Sequence, residues 1–291
     1  MGTTTRIRIP LRTHAFRLGA ALGMMGALAY SSFVLEAFLH TGLSPLHSYV
    51  SELSVTGRPY AFLFRAGDIT AGCGLLALAM ALARRLPATR RRTSGCVALA
   101  VTAAASIGDG VWPMPCAPSL DPVCRATDSA DLDQQLGQIH TLSSLAEFAG
   151  AILAMLLLSK VLQCTGHRSP ARWSFSAGVA TAALGALEIA MALTGVRWVG
   201  LSERAQVLLV SAWCAAMARF LMRIPPVSAH RHDPTAVPQR TSLTRFRRIQ
   251  QRMFQRRGAP YRWPTATTGL TISLALAVRL REFRQAARSR R

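Results

Sequence analysis

The chain has 291 residues, 51% of them hydrophobic, and a formal charge of +21 from 34 Lys and Arg against 13 Asp and Glu. The apolar residues fall into long runs instead of short alternating segments, which argues against a set of ordinary soluble domains and against a disordered chain. All but one of the basic residues are Arg, the exception being Lys160, a bias that with abundant Ala suggests a GC-rich genome.

A hydrocarbon core roughly 30 Å thick needs about 20 apolar residues in helical form. Six windows approach that length: residues 16–39, 60–83, 95–112, 142–162, 175–193 and 206–221. The expected fold is therefore all-α, a polytopic bundle of six transmembrane helices over residues 15–223, between a basic N-terminus (1–14) and a basic tail (224–291). Gly19 and Gly23 give the first helix a small-xxx-small spacing suited to close helix contact. Its apolar run continues through Phe38, longer than a signal-peptide core, so it reads as an uncleaved span.

Arg and Lys in short loops set orientation. Arg6, Arg8, Arg12, Arg17, Arg84, Arg85, Arg90, Arg91, Arg92, Lys160, Arg168, Arg172, Arg219 and Arg223 fall on one side. Arg58, Arg125, Arg197 and Arg204 fall in the loops of the other. Both termini are expected in the cytoplasm of a bacterial-type inner membrane. Within the tail, residues 242–257 carry Leu243, Phe246, Ile249 and Met253 at helical spacing with Arg filling most of the remainder, a basic amphipathic helix that points to anionic lipid as partner in preference to nucleic acid. Residues 267–280 are too short an apolar stretch to span and read as interfacial.

Cys116 and Cys124 share an outer loop, with Pro118 and Pro122 between them, and are expected to form a disulfide on an oxidising face. Placed by depth, Glu36, Asp68, Asp109, Glu147 and Glu188 all lie toward the outer ends of their helices, and Glu52 lies on an adjoining loop. Intramembrane charges tend to face a bundle interior or watery cavity and to pair there. Glu36, Glu52, Asp68, Glu147 and Glu188 are therefore candidate binding residues of an outward-open polar cavity. Arg65, one turn before Asp68, reads as its structural ion-pair partner.

The run His47-Ser-Tyr-Val-Ser51-Glu52-Leu53, then Gly57, Gly67 and Gly72, carries one half of a pattern. Asp109-Gly-Val-Trp-Pro113, Cys116 to Asp121, Cys124 and His140 carry the other. Together they resemble the bacterial membrane family catalogued as domain of unknown function 998, over about residues 15–222. That resemblance implies a six-helix membrane protein and supplies no established reaction. Members often carry an acid two residues after the loop proline, where this chain has Pro115; Asp109 or Asp121 is left to take any role that acid has.

Several chemistries stay open. Ser51, His140 and Asp109 supply nucleophile, base and orienting acid for an outer-face hydrolase, without a nucleophile-elbow motif. His40, His47 and His140 with Glu52 or Asp109 supply nitrogen and oxygen ligands for zinc, without an HExxH or paired CxxC motif. The acidic layer itself suits a small cation, a proton or a small amphiphile. A non-catalytic envelope protein is the remaining reading. No cofactor is expected, and binding or transport leads.

Overall fold

The computed structural model describes residues 11–128, 138–194 and 198–224. The basic tail, including 242–257 and 267–280, lies outside the described residues, as do Arg6, Arg8 and Arg197. The described chain is all-α. Its long helices are α1 (Leu11–Tyr30), α2 (Ala61–Arg85) and α3 (Arg90–Val111), a short α4 (Pro122–Asp128), then α5 (Ile139–Cys164), α6 (Arg168–Thr194) and α7 (Val199–Arg223). Two 3-10 turns, Ser32–Ala37 and Val50–Ser54, lie between α1 and α2. Five helices, α2, α3, α5, α6 and α7, are long and apolar enough to cross a membrane, and α1 adds a shorter apolar stretch, Ala15–Tyr30. The protein is a multi-pass membrane protein.

Each long helix packs on its neighbour in sequence, and α1 also packs on α7, so the six close into a ring. The contacts run in opposite senses along adjoining helices. Gly19, Gly23 and Gly26 of α1 meet Ala81, Leu78 and Gly74 of α2 in turn, and Gly72 and Gly110 join α2 to α3 in the same antiparallel way. The ring is filled by large apolar side chains, among them Leu75, Leu78, Leu99, Met155, Leu158, Trp213 and Met217, each no more than 1% exposed. Trp213 donates its indole N–H to the Ser174 hydroxyl at 2.9 Å, so its polar edge is satisfied inside the core.

The helix ends differ from the sequence windows in instructive ways. The first window, 16–39, is not one continuous helix: α1 stops at Tyr30 and the chain tightens into a 3-10 turn from Ser32. Ser31 turns its hydroxyl back onto the Ala27 carbonyl at 3.4 Å, the local competition by which serine weakens a helix. The third and sixth windows are too short. Helix α3 begins at Arg90 because Thr89 caps it, its hydroxyl accepting the Arg92 N–H at 3.1 Å. Helix α7 begins at Val199, so Arg204 is not an outer-loop residue; it is buried in the second turn of a helix.

That burial is balanced. The Arg204 guanidinium makes a two-pronged pair with Glu36, Nε to Oε1 at 2.5 Å and Nη2 to Oε2 at 2.7 Å. Its Nη1 donates to the carbonyls of Ser48 (2.7 Å) and Gly200 (3.0 Å). The pair ties the 3-10 turn after α1, the 40–60 connection and the start of α7 into one cap. Glu52 fastens the same connection to the loop after α3: Oε1 accepts the Tyr49 N–H at 2.9 Å, and Oε2 accepts the Ser119 N–H at 3.1 Å and the Ser119 hydroxyl at 2.5 Å. The Cys116–Cys124 disulfide, with Cα atoms 6.0 Å apart, closes that second loop, and Cys96 and Cys214 are buried free thiols.

Two stability outcomes follow from this packing. Gly74→Ala puts a methyl about 2.5 Å from the Gly26 Cα and lowers stability by roughly 1–3 kcal/mol. Gly108→Ala meets only Ser143 Cβ at 3.7 Å and is neutral or stabilising; thermal unfolding in detergent compares the two. Glu36→Gln strands the buried guanidinium and costs about 3–5 kcal/mol, whereas Glu36→Leu combined with Arg204→Met recovers most of that loss. Equal damage from the single and double replacements, read by the same unfolding assay, is the contrary result.

Candidate functional site

The site is built on one face of α5. His140, Ser143, Ser144 and Glu147 recur at helical spacing (i, i+3, i+4, i+7) and so point the same way. On α3, Thr102, Ser106 and Asp109 recur likewise and turn toward them. The seam between the two helices is therefore polar toward the disulfide end of the ring. Thr102 donates to the Glu147 backbone carbonyl at 3.1 Å, and Gly150 lets the helices approach closely enough for this, since a Cβ there would lie 2.8 Å from the Ala98 carbonyl oxygen. Ser106 donates to the Asp68 backbone carbonyl at 3.1 Å, joining α2 to the seam.

Asp109 is the best-held carboxylate of the seam. The Ser143 hydroxyl donates to its Oδ1 in a very short hydrogen bond, and the Ser144 hydroxyl donates to Oδ2 at 3.3 Å. The His140 Nδ1 lies 3.1 Å from Oδ1, close enough for charge pairing but misaligned for a hydrogen bond. Glu147 is the opposite case: it is 6% exposed, and its Oε1 has no hydrogen-bond partner.

These side chains border a cavity of about 50 Å³ at the end of the ring that carries the disulfide loop. Asp68, Asp109, Glu147 and Glu203 bring a carboxylate each from α2, α3, α5 and α7, and His140 and Ser51 join them. The apolar wall includes Phe33, Phe64 and Phe148. No Lys or Arg lines it. At 1.5 Å per residue, Asp68 and Glu147 sit roughly 10–12 Å below the ends of their helices.

Of the residues expected to bind, Asp68 and Glu147 reach the cavity together with Asp109. Glu36 and Glu52 are consumed by the cap contacts and do not line it. Glu188, on α6, stands off the cavity beside Ser202 and Glu203. The expected Arg65–Asp68 ion pair is not formed. Arg65 instead donates to the carbonyls of Gly110 (2.9 Å) and Val111 (3.2 Å), where the open C-terminal end of α3 attracts a cation.

Ser51, Asp109 and His140 do share the cavity, but the Ser51 hydroxyl rests against the Met114 sulfur at 3.8 Å. His40 and His47 are exposed while His140 is buried, and among the described residues no three His, Cys, Asp or Glu side chains stand close enough to hold one metal ion. Asp121 accepts the Val123 N–H at 2.8 Å as an exposed cap of α4 and takes no place in the site.

Two features of the acidic site are not singled out by the sequence reading. Glu203, whose Oε2 accepts the Val50 N–H at 2.8 Å, sits in a turn of α7 that hydropathy assigns to a loop. Ser143 and Ser144 look unremarkable singly; the signal is their common spacing with His140 and Glu147. Comparison with curated proteins gives no match, and neither does comparison with solved structures. A family model does match, over residues 24–219, from the middle of α1 to the last turns of α7 and so across the whole cavity. The chain belongs to that family, described as protein of unknown function (DUF998).

Proposed function

We propose that the cavity binds and exchanges a proton or a small hydrated cation. The observation that carries this reading is the convergence of four carboxylates and one histidine on a space without a Lys or Arg. Carboxylates crowded in a poorly solvated site repel one another, and a cation or shared protons relieve the repulsion. The unpartnered Glu147 Oε1 is the oxygen left over for that role. Size narrows the ligand: about 50 Å³ holds a few water-sized bodies at ~10–15 Å³ each, which suits a proton or an ion with some of its waters and leaves no room for an amphiphile. With no ready-made metal cage among the described residues, such an ion keeps water as part of its shell.

The cavity end is taken to face the outside of a bacterial inner membrane, with both termini inside. Arg84, Arg85, Arg90, Arg91, Arg92, Arg168, Arg172, Arg219 and Arg223 all belong to the opposite end of the ring, and the disulfide, which favours an oxidising compartment, belongs to the cavity end. In intact cells, an impermeant thiol reagent should modify Leu46→Cys in a background lacking other cysteines, and should spare a chain retaining only the exposed native Cys164. The reverse pattern inverts the orientation.

A second reading has one observation behind it: the Asp109–His140 pair and Ser51 border the same space, as an acyl-transfer site requires. Substitution separates the two. In reconstituted protein, Asp68→Asn and Glu147→Gln should each weaken proton or cation binding about tenfold or more, read by titration or by cation-dependent melting, while Ser51→Ala leaves it unchanged. Loss of the complementing phenotype with Ser51→Ala and His140→Ala, with both carboxylate variants active, favours hydrolysis; a nucleophile typically accounts for several orders of magnitude in rate.

A further inference from the structure

At the other end of the ring, we infer that the α5–α6 hairpin holds a binding site for the phosphate of an anionic membrane lipid. A groove of about 430 Å³ lies there, bordered by Lys160, Gln163, Arg168, Arg172, Ala171 and Phe175. Its volume is within the ~300–1,000 Å³ range of small-ligand sites. Lys160, Arg168 and Arg172 are all exposed, and none has a carboxylate partner among the described residues, where the ion pairs are His140–Asp109 and Arg204–Glu36. The sequence itself denies them one nearby: no Asp or Glu occurs between Glu147 and Glu188.

Three cations held around one groove without an anion make a site for a divalent or diester phosphate, which guanidinium groups grip through paired N–H donors. The other wall selects for a lipid over a soluble phosphate. Phe175 is half exposed, and the Lys160 ammonium stands 5.6 Å from its ring centroid, so the aromatic face both orients the cation and offers an apolar bed for an acyl or glycerol segment. Trp173, exposed on another face of the same helix turn, is at the same depth, as aromatic residues are at membrane surfaces. Depth agrees with this. Lys160 is four residues before the end of α5 and Arg172 four after the start of α6, so both lie roughly 6 Å inside the helix ends, at the level where headgroup phosphates sit. Nothing in this site touches the acidic cavity, and the proposal stands whether or not that cavity handles cations.

The test uses the full chain, purified in mild detergent and examined by native mass spectrometry and thermal melting with phosphatidylglycerol, phosphatidylcholine or inorganic phosphate. The unaltered protein should retain phosphatidylglycerol about tenfold or more tightly than phosphatidylcholine, and melt higher with it. Arg168→Gln with Arg172→Gln should bring retention down to the phosphatidylcholine level, and Lys160→Gln alone should weaken it in part. Arg245→Gln with Arg248→Gln, in the basic tail, should leave this retention intact. Unchanged retention in the groove variants overturns the proposal, as does loss confined to the tail variant. Stabilisation by inorganic phosphate equal to that by the lipid, abolished by the same groove substitutions, would also overturn it by making the ligand a soluble phosphate. Should the double variant not be recovered folded, Lys160→Gln decides by the same readings.

Discussion

The guanidinium of Arg204 is the point on which the cavity end of the molecule depends. It draws Glu36, Ser48 and Gly200 onto one side chain, so the end of α1, the 40–60 connection and the start of α7 cannot separate without exposing a buried charge. The pair caps the seam along which the first and last helices pack to close the ring. It also neutralises the strongest cation near the cavity. Arg204 is adjacent in sequence to Glu203, yet its hydrogen bonds go to Glu36, Ser48 and Gly200, while Glu203 accepts the Val50 N–H and borders the cavity with the other acids.

Two kinds of carboxylate thus coexist at one end of the ring. Glu36 and Glu52 are saturated by donors and serve as fasteners of the loops. Asp68, Glu147 and Glu203 border open space, with Asp109 held between them by two serines. The distinction follows from donor supply. Where several N–H donors or a guanidinium converge, a carboxylate is structural; where hydroxyls or a single N–H are at hand, as for Glu203 with Val50, it retains unused acceptor capacity.

Much of this was legible in the residues. Apolar length located all of the long helices, and the spacing of Cys116 and Cys124 in a proline-bearing loop gave their bond. Depth along each helix brought Asp68, Asp109 and Glu147 to one level. What hydropathy missed were the places where tertiary pairing makes a charge tolerable. It began the last helix at Gln206 because Glu203 and Arg204 look like loop residues until Glu36, 168 positions before Arg204, is brought alongside. It assigned Arg65 to Asp68 because local spacing allows the pair, whereas the better acceptors, the free carbonyls ending α3, are invisible in a linear reading. At the helix break after Tyr30 the Ser31 hydroxyl competes for the Ala27 carbonyl, an effect of a few tenths of a kcal/mol to about 1 kcal/mol, too slight for a hydropathy window to register.

The glycine contacts have a mechanical consequence. Gly19, Gly23 and Gly26 lock α1 to α2, Gly72 and Gly110 lock α2 to α3, and Gly95 and Gly150 lock α3 to α5, each at backbone-to-backbone or near-backbone range. Those four helices form a stiff shell with little freedom to slide. Helix α6 is different: it is the least buried of the candidate spans and gives no side chain to the cavity wall. It is held instead by Gly178 against Leu156 of α5, by the Ser174 hydroxyl on the Met155 carbonyl at 2.8 Å and by Gln206 of α7 on the Thr181 carbonyl at 3.1 Å, so the close-packed glycine seams and the carboxylates of α2, α3 and α5 lie on the same three helices.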